Sequence, residues 1–136
     1  MTNKEAYLRE MEKRDIKYID IDDTRVKVRY TGENTKSIEV IVIFDKNDET
    51  GYVALRCWSF GSIPENKRSM VINKCNELNT HYRWVKFFVD NEGDLGVGMD
   101  AIIDVCTVGN ICIQLVDRMV GIYDEAYPEL MRAIWS

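Results

Sequence analysis

Three carboxylates alternate over five residues, Asp90-x-Glu92-x-Asp94, the spacing with which a calcium-binding loop begins. Oxygen donors at every second position suit a hard divalent cation, since they converge as the loop turns. The pattern then fails. Gly93 stands two residues too early, and no glutamate closes a twelve-residue loop, so calcium is rejected. Cys57, Cys75, Cys106 and Cys112 offer soft ligands or nucleophiles, but there is no CxxC, His81 is the lone histidine and zinc spacing is missing. Each cysteine falls on an apolar stripe, so buried reduced thiols are expected; redox work would need an exposed thiol of low pKa. A Gly-rich phosphate loop and a GxSxG elbow are also missing, and Asp20, Asp22 and Asp100 stand near turns, where Asp is favoured anyway. The expectation is no enzyme: no catalytic residues, no metal and no cofactor.

The elements that carry these residues are legible around the acidic turn. Trp84 to Asp90 alternates, with Val85, Phe87 and Val89 on one side and Trp84, Lys86 and Phe88 on the other. Leu95 to Ile102 alternates too, and Asn91-Glu92-Gly93 makes a three-residue hairpin loop with Gly at the left-handed position. Pairing Asp90 with Asp94 sets Val89 opposite Leu95, Phe87 opposite Val97 and Val85 opposite Met99, one continuous apolar face. On the reverse face Phe88 meets Gly96 and Lys86 meets Gly98. Strand glycines mark close approach, here either an aromatic covering its neighbour or a docking surface. Upstream, Ser62-Ile63-Pro64-Glu65 has the form of a capping box, followed by a helix with Met70, Val71, Cys75 and Leu78 at helical spacing, ending near Asn79 to His81.

Cys75-Asn76-Glu77-Leu78-Asn79, the aromatic strand and Val89-Asp90-x-Glu92-Gly93-Asp94-Leu95 together resemble the YbjN-domain family of small bacterial proteins. The resemblance extends to the last helix, with Tyr127-Pro128-Glu129-Leu130-Met131. It implies an α/β sandwich of type III secretion chaperone-like fold and a homodimer. It implies no established catalytic residues, and fold likeness does not transfer function.

The 136 residues suffice for a single domain over 1–136, burying roughly two thirds of the unfolded surface. A formal charge of −5 disfavours nucleic acid and anionic membranes as partners, since such binding needs a basic face. The polar N-terminus does not read as a signal peptide, and no apolar run nears the roughly 18 residues of a membrane span, so a cytoplasmic location is expected.

A charged first helix is expected over Asn3 to Arg14, packed on the sheet or exchanged with a partner. Strands follow over Lys17–Ile21, Arg25–Tyr30, Ile38–Phe44 and, after a Lys46–Gly51 loop, Tyr52–Phe60. Pairing Asp45 with Tyr52 puts Val53, Leu55 and Cys57 beside Val40, Val42 and Phe44; a bulge at Gly51 would flip the second strand. The other face then holds Ile41, Ile43, Tyr52, Ala54, Arg56, Trp58 and Phe60. That patch is too apolar to face water alone. Either the first or last helix covers it, or it is an interface anchored on Trp58. A long last helix starts near Val108 with Thr107 as cap and kinks or breaks near Ala126 ahead of Pro128.

The fold expected is α+β: an antiparallel sheet packed with helices in the order α-β-β-β-β-α-β-β-α. The function expected is a non-enzymatic protein-binding module, chaperone-like or regulatory. Its interaction surface comprises Ile41, Ile43, Tyr52, Arg56, Trp58, Phe60, Trp84 and Phe88, with a polypeptide as partner. The alternative is a small-molecule-binding regulator with an apolar pocket between sheet and last helix.

Overall fold

Alternation along one central strand settles how the sheet is built. In Ile38–Phe44 the residues Ile38, Val40, Val42 and Phe44 are buried, while Glu39, Ile41 and Ile43 are only half-buried. A strand turns successive side chains to opposite faces, so one face packs on helices and the other does not. The computed structural model describes residues 1–46, 48 and 50–136. Its elements are α1 (Asn3–Lys13), β1 (Ile19–Asp20), β2 (Arg25–Tyr30), β3 (Ile38–Phe44), β4 (Tyr52–Ser62), α2 (Arg68–His81), β5 (Lys86–Val89), β6 (Asp94–Ile102) and α3 (Val108–Trp135). The expected element order is the observed one. The strands form an antiparallel sheet in the order β1-β2-β3-β4-β6-β5.

Both expected registers are present. Phe44 pairs with Val53 and Val42 with Leu55, so the strand is not flipped at Gly51, although that glycine has φ +66°. Asn47 and Glu49, inside the expected Lys46–Gly51 loop, lie outside the described residues. In the hairpin, Phe87 pairs with Val97 and Val89 with Leu95, the Asp90 N–H donates to the Asp94 carbonyl at 2.9 Å, and Gly93 has φ +85°.

The ladder does break, but later in β4, between Cys57 and Gly61. Extra residues there turn Phe60 to the helix side, where its ring lies 4.4 Å from that of Tyr123 and 5.6 Å from that of Tyr127. Phe60 is therefore not on the outer face where strict alternation placed it.

Of the kink or break expected near Ala126, the break is absent: α3 runs through Pro128. A proline removes the donor to the carbonyl four residues back, here Asp124. That carbonyl accepts instead from Asn34 Nδ2 at 3.0 Å, and the Asp124 carboxylate accepts the backbone N–H groups of Glu33, Asn34 and Thr35. One residue of α3 thus pins the β2–β3 loop and has its own lost hydrogen bond replaced.

Two caps differ from expectation. Ser62 stays in β4 and donates to Asp94 Oδ1, so no capping box forms, and a 3-10 turn at Glu65–Lys67 leads into α2. Thr107 makes no side-chain cap; Asp104 Oδ1 accepts from the Cys106 and Thr107 N–H groups and takes that role. This turn leaves Cys106 exposed, whereas Cys57, Cys75 and Cys112 are buried as expected. Helix α1 lies on α3, with Tyr7 and Met11 buried and the Gly109 backbone close against Ala6 and Glu10.

Candidate functional site

The outer face of the sheet is where apolar and charged side chains meet without a helix above them. Its composition follows from the ladder. Cross-strand partners run Lys27–Ile41–Arg56–Gly98–Lys86 from β2 to β5, and Arg25–Ile43–Ala54–Asp100 from β2 to β6. Partners on adjacent strands sit side by side on one face, about 5 Å apart. Neither α1 nor α3 covers this face: Tyr52 is 57 % exposed, Trp58 42 % and Ile102 80 %.

Two glycines of β6 shape the surface. A Cβ at Gly96 would fall 2.5 Å from the Trp58 ring and 2.8 Å from Phe88, so both rings occupy the space that a side chain would fill. Trp58 and Phe88 meet edge to face at 5.4 Å, a favoured aromatic geometry. At Gly98 the Arg56 side chain lies over the strand in the same way, 3.1 Å from where a Cβ would stand. Arg56 Nη1 donates to the carbonyls of Leu55 and Met99 and to Asp100 Oδ1. Aromatic rings thus cover Gly96 and the Arg56 side chain covers Gly98, on a face open to solvent.

Electrostatics on this face are crowded at β2. Lys27 and Arg29 both reach Glu39 Oε2, at 3.2 and 3.1 Å. Their hydrogen bonds, Arg29 first, hold the Glu39 carboxyl below its usual range. Arg25 pairs with Asp22, and Lys86 has no ion-pair partner among the described residues.

Of the expected surface residues, the structure gathers Ile41, Ile43, Tyr52, Arg56, Trp58 and Phe88 on the outer face, and Phe60 leaves it. Trp84 stands just ahead of β5, 56 % exposed, and with Arg56, Lys86 and Phe88 lines a small concavity at the sheet's end. Its φ of +77°, with Val85 N–H donating to the Arg83 carbonyl at 2.9 Å, makes a strained γ-turn. The Arg118 guanidinium lies 5.8 Å from the Trp84 ring centre. Ile102, Lys27 and Lys86 also belong to the face. The alternation that placed Trp58 there could have found them.

The sheet edge at β5 is partly closed. Asn79, at the end of α2, accepts the Phe87 N–H at 2.8 Å and donates to the Phe87 carbonyl at 3.0 Å. A side-chain amide thereby stands where an added strand would pair. A wider concavity of about 800 Å³ lies on the outer face, lined by Ile43, Tyr52, Ala54, Arg56, Asp100 and Ile102 among others. Between sheet and α3, where the alternative placed a pocket, Val116, Met119 and Tyr123 are fully buried and fill the space.

Oxygens of Asp90, Glu92 and Asp94 lie within 4.8 Å of one another. The turn accounts for this proximity: Asp90 Oδ1 accepts the N–H groups of Glu92 and Asp94, and Asp94 Oδ1 accepts from Ser62. Among the described residues, no helix is long and apolar enough to cross a membrane.

A family model, YbjN, described as "Putative bacterial sensory transduction regulator", matches residues 9–130. A search of curated proteins gives no match. Among solved structures, the fold is similar to that of YbjN from E. coli, "a putative transcription regulator", with a TM-score of 0.63 and 8 % identity over 92 % of this chain and 91 % of that one. It is also similar to a chain in the heterodimeric ExoU–SpcU complex from the type III secretion system of Pseudomonas aeruginosa, with a TM-score of 0.57 and 15 % identity over 93 % of this chain and 96 % of that one. At such identities the likeness is one of fold, and the expected fold class is the one found.

Proposed function

The chain belongs to the YbjN family, and on that premise we propose that it is a non-enzymatic protein-binding module, chaperone-like or regulatory, that receives a polypeptide on the outer face of its sheet. The observation that carries this reading is the exposed Trp58, packed over Gly96 against Phe88 on a face that neither α1 nor α3 covers. Large aromatics and arginines beside one another are the residues that dominate protein interfaces. Addition of a partner strand at β5 is the weaker route, because Asn79 already occupies the Phe87 backbone. The ExoU–SpcU structure is a heterodimer, which fits a fold used in protein association. A cytoplasmic location belongs to the same proposal.

The test is Trp58→Ala. The variant should keep the far-ultraviolet circular dichroism of the parent and lose a partner that co-purifies with it; retention of that partner places binding elsewhere. Homodimer formation, also proposed, is read by light scattering over a dilution series, and a monomer at every concentration overturns it.

A second reading, a small-molecule-binding regulator, has the 800 Å³ outer concavity in its favour, a volume within the range of ligand sites. Native mass spectrometry of the purified protein should show added mass if that reading holds, and a bare chain mass if it does not.

A further inference from the structure

Independently of the docking face, we infer that the end of α3 beyond Pro128 is a hinged lid on the core, and that Asp124 with the β2–β3 loop is the latch that holds it shut. The helix is weak over one stretch. Pro128 leaves the Asp124 carbonyl without its intrahelical donor and sets its ring against the preceding turn. Gly121, less than a turn before Asp124, lowers helix stability with no packing in return, because a Cβ there would meet open space among the described residues.

The loop is built around the residue between these two weak points. A Cβ at Gly32 would fall 2.2 Å from Asp124 Oδ1, so the missing side chain is what lets the carboxylate enter. Inside, the carboxylate accepts the backbone N–H groups of Glu33, Asn34 and Thr35 at 3.0, 2.9 and 3.1 Å. The Asn34 amide closes on the Asp124 carbonyl at 3.0 Å. Converging N–H groups suit an anion, and bonds to an ionised acceptor are the stronger kind. All four meet α3 at one residue, and three of the four are exposed to solvent. A contact gathered on one exposed residue can open as a unit.

The segment beyond it is a cover. Leu130 and Ile134 are buried in the same core as Val71 and Cys75 of α2. Met70 and Lys74 of α2 line one concavity with Glu129 and Arg132 of α3, so the two helices lie side by side there. Opening at Asp124 lifts Leu130 and Ile134 away and bares Cys75, which is 4 % exposed when closed. Cys57, on β4, and Cys112, in the first half of α3, stay buried.

The experiment is amide hydrogen exchange read by mass spectrometry on the full chain and on Gly32→Ala, Asn34→Ala and the double variant Asn34→Ala/Pro128→Ala. The first pushes the carboxylate out of the loop, and the second strips the donor from the carbonyl. In each, peptides covering 129–135 should exchange about tenfold faster, equivalent to about 1.4 kcal/mol. The sheet and the first half of α3 should keep the parent rate. Pro128→Ala supplies an N–H that reaches the Asp124 carbonyl within the helix, so the double variant should return to the parent rate. In Gly32→Ala, Cys75 should also react with a disulfide reagent ahead of Cys57 and Cys112. Unchanged exchange over 129–135 in both single variants overturns the latch. Acceleration spread evenly over the sheet and all of α3 overturns the hinge, and makes the loop a brace for the whole fold. Faster exchange that Pro128→Ala does not reverse overturns the part given to the Asp124 carbonyl.

Discussion

The two faces of the sheet are made from the same strands, yet they solve opposite problems. On the inner face Val40, Val42, Leu55, Cys57, Leu95 and Val97 stand up into the helices and are fully buried. On the outer face Arg56 and Trp58 lie against the backbone at Gly98 and Gly96, while Tyr52 and Ile102 project into solvent. The inner face gains its stability from interdigitation at interior density. The outer face covers its own backbone with long side chains, so it needs no helix and still presents apolar area. The difference teaches that a strand glycine here is a seat for a neighbouring side chain, and that a surface can be finished and yet remain available.

Variants can break or sharpen this contrast. The largest effect is expected from Leu55→Ala, which should cost about 3 kcal/mol in urea unfolding, as for a buried leucine whose site collapses only partly. Its neighbour in the opposite direction, Ile41→Ala, should cost only about 1 kcal/mol, because that side chain is half-buried. Equal losses would mean that the outer face is covered in solution. Asn79→Ala comes next, at roughly 2 kcal/mol, since it strips a donor and an acceptor from the Phe87 backbone. If the loss is below experimental error, water replaces the amide and the β5 edge is open to an added strand.

Gly96→Ala tests the seat itself. The new methyl occupies the position of the Trp58 and Phe88 rings, so a cost of about 1 kcal/mol should accompany a change in tryptophan fluorescence. Unchanged fluorescence would show that Trp58 does not rest there.

The smallest perturbation is chemical. In the native protein one thiol, Cys106, should react rapidly with a disulfide reagent, and the other three only on unfolding. Burial pushes the Cys75 thiol up to about 11 and the Cys112 thiol up to about 12, from an ordinary 9.0. Both are harder to ionise folded than unfolded. Their contribution to stability is therefore whole below about pH 9 and is lost as pH rises toward those values. A stability that stays level from pH 9 to 11 would contradict that burial.

Regions of strict alternation were legible in the sequence. The β5–β6 hairpin and the β3–β4 pairing could be written residue by residue, because a period of two and an acidic, Gly-containing turn admit one register that keeps the apolar side chains together. The family signal also has a physical source: Asn79 binds the Phe87 backbone, and Asp90 folds the turn through two backbone N–H groups. Six of the eight expected surface residues stand on one face for the same reason.

The remaining features depended on partners far along the chain. Phe60 obeys alternation until the ladder shifts by two after Cys57, and the aromatic pocket of Tyr123 and Tyr127 that receives it lies more than sixty residues away. Trp84 reads as the first residue of a strand, but it occupies a left-handed turn beneath Arg118 of α3. Pro128 kinks or breaks a helix by local rules, and Asn34, ninety residues before Asp124, supplies a donor to the carbonyl that the proline leaves free. The sequence by itself determined the elements, their order and the pairing of neighbouring strands, because those follow from local periodicity and turn chemistry. Only the tertiary structure decided which face is left bare and which side chains lie against it. Those outcomes depend on where the helices pack and on contacts between residues that no local pattern links.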